Sequence, residues 1–345
     1  MFRLLILLVL LSFFAGCKGK QAKEPNTIEA DGPSTVQSAF SGGTTAKIIS
    51  WKTSWNEAAE TAKQNSKNIL LLFTNPESCP PCRMMVQQTW PDAGVAKFVN
   101  ANFVPLMIHT GRSKERTLGE EFMVRGIPTT FVINTDKNVI AQKVGFSPPE
   151  EFLKFLGAAV SVEDLQNKVK SNAENVTHTL NLAKAYVELD RKADASRLLE
   201  KVCKLDKDNS KGKSVPALYL LGVIALENKQ IEDAKKKFHE VIKLDPKSKT
   251  GYADDTALQL AILPANEGDF ASAATGLEKF VVKFPKSELR PEAFIYLGRC
   301  RFLAGDKDAG SKALEMLIKE YPDSRHAEYA KRLLQDLKRT RGKSR

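Results

Sequence analysis

Four stretches in the second half of the chain repeat one another, and no other feature narrows the fold as far. Aligned on themselves, NLAKAY…DRKADASRLLEKVCKLDKD, YLLGVIALENKQIEDAKKKFHEVIKLDPKS, LQLAILPANEGDFASAATGLEKFVVKFPKS and IYLGRCRFLAGDKDAGSKALEMLIKEYPDS place small residues at Ala183, Gly222, Ala261 and Gly298, spaced 39, 39 and 37 residues apart. A second small set, Ala195, Ala234, Ala273 and Gly310, falls where the second helix of each unit crosses the first closely. Pro246, Pro285 and Pro322 close three of the units. Strand patterns end near Ser161, and helical spacing continues to about Leu337. Each unit therefore reads as a helix pair that buries its apolar face only against its neighbours, so the units must stack.

This pattern resembles tetratricopeptide repeats, and the resemblance implies an all-α superhelix whose concave groove binds peptides or proteins and carries no catalysis itself. The observed spacing exceeds the usual period of about 34, so some helices or connections must be longer. Unit ends of the Phe-Pro and Tyr-Pro kind are similar to those of periplasmic repeat proteins, and the last helix, from His326, caps the array. Pro264 lies inside a first helix and is expected to kink it or end it early. Cys203 and Cys300 fall in different repeats and are expected as free thiols that pack like small hydrophobes.

The first half is patterned differently. Between Ile48 and Val160, SWNEAAETAKQNSKN has helical spacing, and NILLLFT is a continuous apolar run of the length of a buried parallel strand. FTNPESCPPCRMM follows, with Cys79 and Cys82 opening a second helix. Helices near 92–99 and 115–123, a strand at ANFVPLMIHT, strands at GIPTTFVIN and VIAQKVG, and a closing helix SPPEEFLKFLGAAV complete an α/β pattern. Structural zinc needs four ligands, and His109 is the only histidine between 48 and 160, with no second Cys-X-X-Cys. Covalent haem attachment needs a histidine after the second cysteine, where Arg83 stands. A redox pair and a bare structural disulfide remain.

A strand, a Cys-X-X-Cys at a helix start, and Gly126-Ile127-Pro128-Thr129 about 45 residues later entering a strand together resemble the thioredoxin fold. The resemblance implies a cis Pro128 beside the cysteines, with the backbone of Ile127, Pro128 and Thr129 docking an extended substrate segment. Cys79, at the positive end of the helix dipole and expected to be exposed, is the nucleophile of thiol exchange; Cys82, one turn in, is the resolving thiol. Pro80 and Pro81 carry no N–H, so mainly the Cys82 amide is left to stabilise a Cys79 thiolate. The pair should therefore be more reducing than relatives with His in the dipeptide, and Ile127 matches the residue common in reducing thioredoxins. Three departures stand out. Apolar Leu72 or Phe73 replaces the family's buried acid, Ser78 replaces the usual Trp, and TNPES is one residue longer than the thioredoxin loop.

The N-terminus MFRLLILLVLLSFFAGC has Arg3, an apolar run to Phe14, then small residues and Cys17. The run is short for a bilayer span and reads as an export signal. Phe14-Ala15-Gly16-Cys17 resembles a bacterial lipobox, although Phe14 stands where Leu is usual, and this implies an acylated Cys17 that anchors the chain to a membrane. Lys18 points, by resemblance to enterobacterial sorting, to the periplasmic face of the outer membrane; simple secretion to the periplasm is the alternative. Net charge is +11, and Ala330 to Arg345 holds seven Lys or Arg against one Asp. Export excludes a nucleic-acid partner, and a solvated tail is the default reading of that charge, with anionic lipid as its other possible contact.

The expected organisation is thus a lipoprotein signal over 1–16, a flexible tether over 17–47, a thioredoxin-like domain over 48–160, a tetratricopeptide-repeat domain over 161–338 and a basic tail over 339–345. The expected function is a membrane-anchored thiol–disulfide oxidoreductase of the bacterial envelope, a reductase or isomerase that needs no cofactor or metal. It would act on protein disulfides, draw on an upstream electron donor and recruit protein partners on the repeats. The alternative is a repeat-based binding lipoprotein whose thioredoxin-like module is redox-dormant.

Overall fold

The structure, a computed structural model, describes residues 49–112, 117–246 and 249–341. The expected signal over 1–16, Cys17, the tether to residue 47 and the last four residues of the basic tail lie outside the described residues. The chain divides into two compact units, one ending at Lys201 and the other beginning at Val202.

The first unit is built on a four-stranded sheet of order β2-β1-β3-β4, with β1 Asn68–Thr74, β2 Phe103–His109, β3 Thr129–Ile133 and β4 Val139–Val144. β1 and β2 run parallel, and the other pairs are antiparallel. The continuous apolar runs become strands covered on both faces, since six of the seven residues of β1 and all five of β3 are buried. β4, at the edge, is mostly open: only Ala141 is buried, and Val139 and Val144 are exposed. On one face Ala58 and Ala62 of α1 (Trp55–Asn65) and Leu118 of α4 (Thr117–Glu121) pack with Ile69, Leu71, Phe73, Leu106 and Phe131. A buried aliphatic side chain here stabilises by about 1.5–3 kcal/mol, and Leu71→Ala would cost about 2–5 kcal/mol through the cavity it leaves.

The helix that opens at the cysteines, α2 (Pro80–Met84), runs directly into a π-helical turn over Met85–Thr89, which the sequence does not announce. α3 (Ala93–Asn102) starts where Asp92 Oδ1 accepts the Val95 N–H at 2.9 Å. α5 (Pro149–Ser171) buries Phe152, Phe155 and Leu156, with the Phe152 ring edge-on to Trp90 at 5.1 Å. The domain limit expected after Val160 falls inside this helix, which continues for three turns. Its second half packs on α6 (Val176–Glu188), where Gln166 Nε2 donates to Tyr186 Oη at 2.9 Å.

α7 (Lys192–Leu205) carries the division between the units. The second unit continues with α8 (Ser214–Glu227), α9 (Ile231–Leu244), α10 (Ala253–Asn266), α11 (Phe270–Lys283), α12 (Arg290–Leu303) and α13 (Lys307–Glu320), each of fourteen residues, and α14 (Arg325–Arg341). The helices of each pair are joined by a residue of positive φ: Lys229 (61°), Gly268 (86°) and Gly305 (90°). Uniform helices mean that the extra repeat length lies between the pairs. There, buried Asp245 accepts the N–H groups of Lys249 and Thr250, both at 2.8 Å, and buried Asp206 accepts those of Lys211, Lys213 and Ser214. Phe284 and Tyr321 occupy the equivalent positions before the shorter connections.

Three expectations are corrected. Pro264 does not end its helix early, because it sits in the last turn and α10 matches its neighbours in length. Residues 339–341 belong to α14 and not to a separate tail. Cys203, expected to be buried like Cys300, is only half-buried.

Candidate active site

The chain leaves β1 at Thr74, and Asn75 O accepts the N–H groups of Ser78 at 3.3 Å and Cys79 at 3.0 Å, which folds the segment back onto the helix start. Cys79 is the N-cap of α2, in extended conformation (φ −116°, ψ 106°), and Pro80 and Pro81 fill the first helical positions, where a missing N–H costs least. The Cys82 N–H donates to Cys79 Sγ at 3.2 Å. A disulfide joins the two cysteines, with Cα atoms 5.2 Å apart. Cys79 is 8% exposed and Cys82 fully buried. The expectation of an exposed Cys79 is thus corrected to a narrow opening, although the ranking of the two sulfurs stands.

The Ile127–Pro128 peptide is cis, and Ile127 O lies 3.3 Å from Cys79 Sγ. A disulfide sulfur has no proton to donate, so this is a close approach in the oxidised pair that becomes a hydrogen bond when the thiol forms. The loop is held from both sides: Thr129 Oγ1 donates to Gly126 O at 2.7 Å, and the Gly145 N–H to Pro128 O at 2.7 Å. Pro128 and Thr129 are buried, whereas Ile127 is partly exposed. Ile127 also lines an open groove of about 590 Å³ with Phe73, Ile108, Gly119, Met123 and Val124.

Sequence reasoning missed a charged cluster on the other side of Cys79. His109, considered there only as a zinc ligand, is the last residue of β2 and pairs in register with Thr74. The Gly111 N–H donates to its Nδ1 at 3.2 Å, so the ring proton sits on Nε2 and is donated to Glu77 Oε2 at 2.6 Å. Arg112 approaches the other Glu77 oxygen at 3.3 Å. Partial burial acts to raise the Glu77 carboxyl, but the His109 hydrogen bond, a backbone hydrogen bond at Glu77 itself and the nearby charge of Arg112 outweigh it and hold the group below its ordinary value. Arg83 Nη1 donates to Pro76 O at 3.0 Å and Glu77 O at 3.2 Å. No spacing rule links positions 77 and 109; only the parallel pairing of β1 with β2 brings them together.

Among the described residues no group of three or more His, Cys, Asp or Glu is arranged to hold a metal, and no helix is long and apolar enough to cross a membrane.

A family model described as a thioredoxin-like domain matches residues 55–159, and a tetratricopeptide-repeat model matches residues 169–249. The chain is a thioredoxin-like domain followed by tetratricopeptide repeats. A third family model, described as an outer membrane lipoprotein, matches residues 211–341, inside the repeat region. No curated protein matches the chain. Among solved structures, MamA is 22% identical over 47% of this chain and 87% of its own, with a TM-score of 0.40. YrrB, titled a TPR protein with an unusual peptide-binding site, is 17% identical over 51% of this chain and 84% of its own, with a TM-score of 0.39. A structure titled DsbH Oxidoreductase is 19% identical over 36% of this chain and 98% of its own, with a TM-score of 0.31. The thioredoxin-like domain holds the cysteine pair, and the tetratricopeptide repeats indicate binding of protein or peptide partners.

Proposed function

We propose that the protein is a thiol–disulfide oxidoreductase of the bacterial envelope that works in the reducing direction, with its repeats recruiting the protein on which it acts. The observation that carries this reading is the position of Cys79: at a helix N-terminus, within reach of the Cys82 N–H, and against the carbonyl of a cis-proline loop. The reduced Cys79 thiolate attacks one sulfur of a substrate disulfide, and the other substrate sulfur leaves as a thiolate. Cys82 then attacks Cys79 Sγ, closing the Cys79–Cys82 disulfide and releasing the second substrate thiol. Two electrons pass to the substrate, so a donor must reduce the pair again before the next cycle. The sulfurs carry the electrons themselves, and no cofactor is required. Substrate docks at the partly exposed edge of Ile127, with Pro128 and Thr129 as the buried support beneath it.

Placement in the envelope is supported by the apolar leader, by the lipobox-like Phe14–Cys17 and by the outer membrane lipoprotein match over the repeats. On this reading Cys17 is acylated, residues 17–47 are the tether, the thioredoxin-like domain runs from 48 into α5, and the repeats follow from the second half of α5 to the end of α14. The test is a Cys82→Ala trap: it should accumulate mixed disulfides through Cys79, and Cys79→Ser should abolish reduction of a protein disulfide. Activity retained in Cys79→Ser would sink the proposal.

A further inference from the structure

The segment Asn75–Ser78 sits between the end of β1 and the nucleophilic cysteine. It is fastened twice. Arg83, directly after Cys82, grips the carbonyl oxygens of Pro76 and Glu77 and so ties the segment to the redox helix. The Glu77 carboxylate accepts the hydrogen bond from His109 Nε2–H and so ties the segment to the end of β2. The His109 ring cannot turn away at no cost, because the Gly111 N–H fixes its other nitrogen as an acceptor.

We infer that Glu77 and His109 form a clamp that positions the Cys79 loop, so that the two sulfurs meet at high effective concentration although neither clamp residue touches them. This rests on the reading of Cys79 and Cys82 as a working pair and adds two positioning residues to it. The physical link is entropic. With the segment fastened to β2, the reduced protein already holds Cys79 next to Cys82, and little freedom is lost when the disulfide closes. Without the clamp the reduced state gains freedom and the disulfide becomes easier to reduce.

The chemical equilibrium of the pair tests this without any biological substrate. The full chain is equilibrated against glutathione redox mixtures, and the oxidation state of the Cys79–Cys82 peptide is read by mass spectrometry, which separates it from Cys203 and Cys300. Glu77→Ala and His109→Ala should each lower the equilibrium constant for disulfide formation about fivefold, the factor that one hydrogen bond of ordinary net strength carries. The double variant should match either single one within about twofold, because both remove the same bond and the solvent-exposed Arg112–Glu77 contact contributes little. Glu77→Gln, whose amide oxygen still accepts from Nε2, should stay within twofold of the parent chain. Glu77 is 49% exposed, so its truncation leaves the core untouched. An unchanged constant in both alanine variants overturns the clamp, as do additive effects in the double variant or a Gln variant as affected as the Ala one. An empty Cys82→Ala trap beside these shifts would remove the proposed function and leave the clamp in place.

Discussion

Cys79 Sγ and the carbonyl oxygen of Ile127 lie 3.3 Å apart across 48 residues of sequence. In the reduced protein that oxygen accepts from the thiol and would face a thiolate unfavourably, while only the Cys82 N–H among the adjacent amides favours the thiolate, Pro80 and Pro81 having none. Strong oxidants of this fold owe their power to a reduced form in which the thiolate is strongly stabilised, and here the thiolate has one adjacent amide donor and faces a carbonyl oxygen. The reduction potential should therefore lie nearer to about −270 mV than to about −120 mV, the span between reducing and strongly oxidising members. Equilibration with a dithiol of known potential measures it, and a value on the oxidising side would contradict the account.

Glu77 supplies a pH dependence with a definite sign. Its carboxyl is held below the ordinary value of 4.5, so its contribution is fully present above that value and is lost as pH falls through the lowered folded-state value. The Cys79–Cys82 equilibrium should be unaffected by the carboxylate above pH 4.5 and shift toward the reduced form only as pH falls through the lowered value. Glu77→Gln should lack that acid limb, which glutathione-independent quenching and mass spectrometry can record.

The repeats make a separate claim about stability. Asp245 is 4% exposed, and burial acts to raise its carboxyl, but hydrogen bonds from Thr250 and Lys249 outweigh this and hold it below 3.8. Asp245→Ala would leave those buried donors without an acceptor and should cost about 1–3 kcal/mol in denaturant unfolding. Asp245→Asn, which keeps one acceptor oxygen, should lose less. The carboxylate's share of stability is present above 3.8 and disappears as pH falls below it.

The thiols outside the pair give a reactivity contrast. Burial pushes the Cys300 thiol up to about 11, so at pH 8 about one molecule in a thousand carries its thiolate. Iodoacetamide at pH 8 should label reduced Cys79 in the native chain and spare Cys300 until denaturant is added. Rapid native labelling of Cys300 would show that α12 opens locally, which its fully buried side chain argues against.

How much of this was legible in the sequence depends on the range of the interaction that fixes each feature. The repeat units were legible because helix spacing, small residues and unit-ending prolines are local and recur every 37 to 39 residues. β1 and β2 were legible because near-continuous apolar runs bounded by polar segments have few other uses. The limit after Val160 was placed where strand patterns stop, but nothing in SVEDLQNKVKS breaks a helix, and α5 simply continues. The π-helical turn at Met85–Thr89 leaves no local signature, and Glu77 with His109 is a product of strand pairing alone. Short-range chemistry was readable; contacts made by the fold were not.

Two glycines in helices make opposite predictions from the same substitution. A Cβ on Gly222 of α8 would fall 2.5 Å from Cε1 and 2.8 Å from Cδ1 of Phe238, whose ring is fully buried in α9 and lies tilted beside the buried Tyr219 ring at 6.0 Å, so neither ring can withdraw into solvent. Gly222→Ala should therefore force the helix pair apart and cost about 1–3 kcal/mol of overpacking, more than the roughly 0.8–1.0 kcal/mol that alanine gains over glycine in a helix interior. At Gly157 in α5 the added methyl meets nothing within 4 Å. Gly157→Ala should stabilise the first unit by about 0.4–1 kcal/mol, because it narrows the unfolded ensemble without crowding the folded one. Thermal or urea unfolding of the two variants decides the matter: the midpoint should fall for Gly222→Ala and rise for Gly157→Ala, and a shift of the same sign in both would show that helix propensity, and not the close approach of α8 to α9, governs these positions.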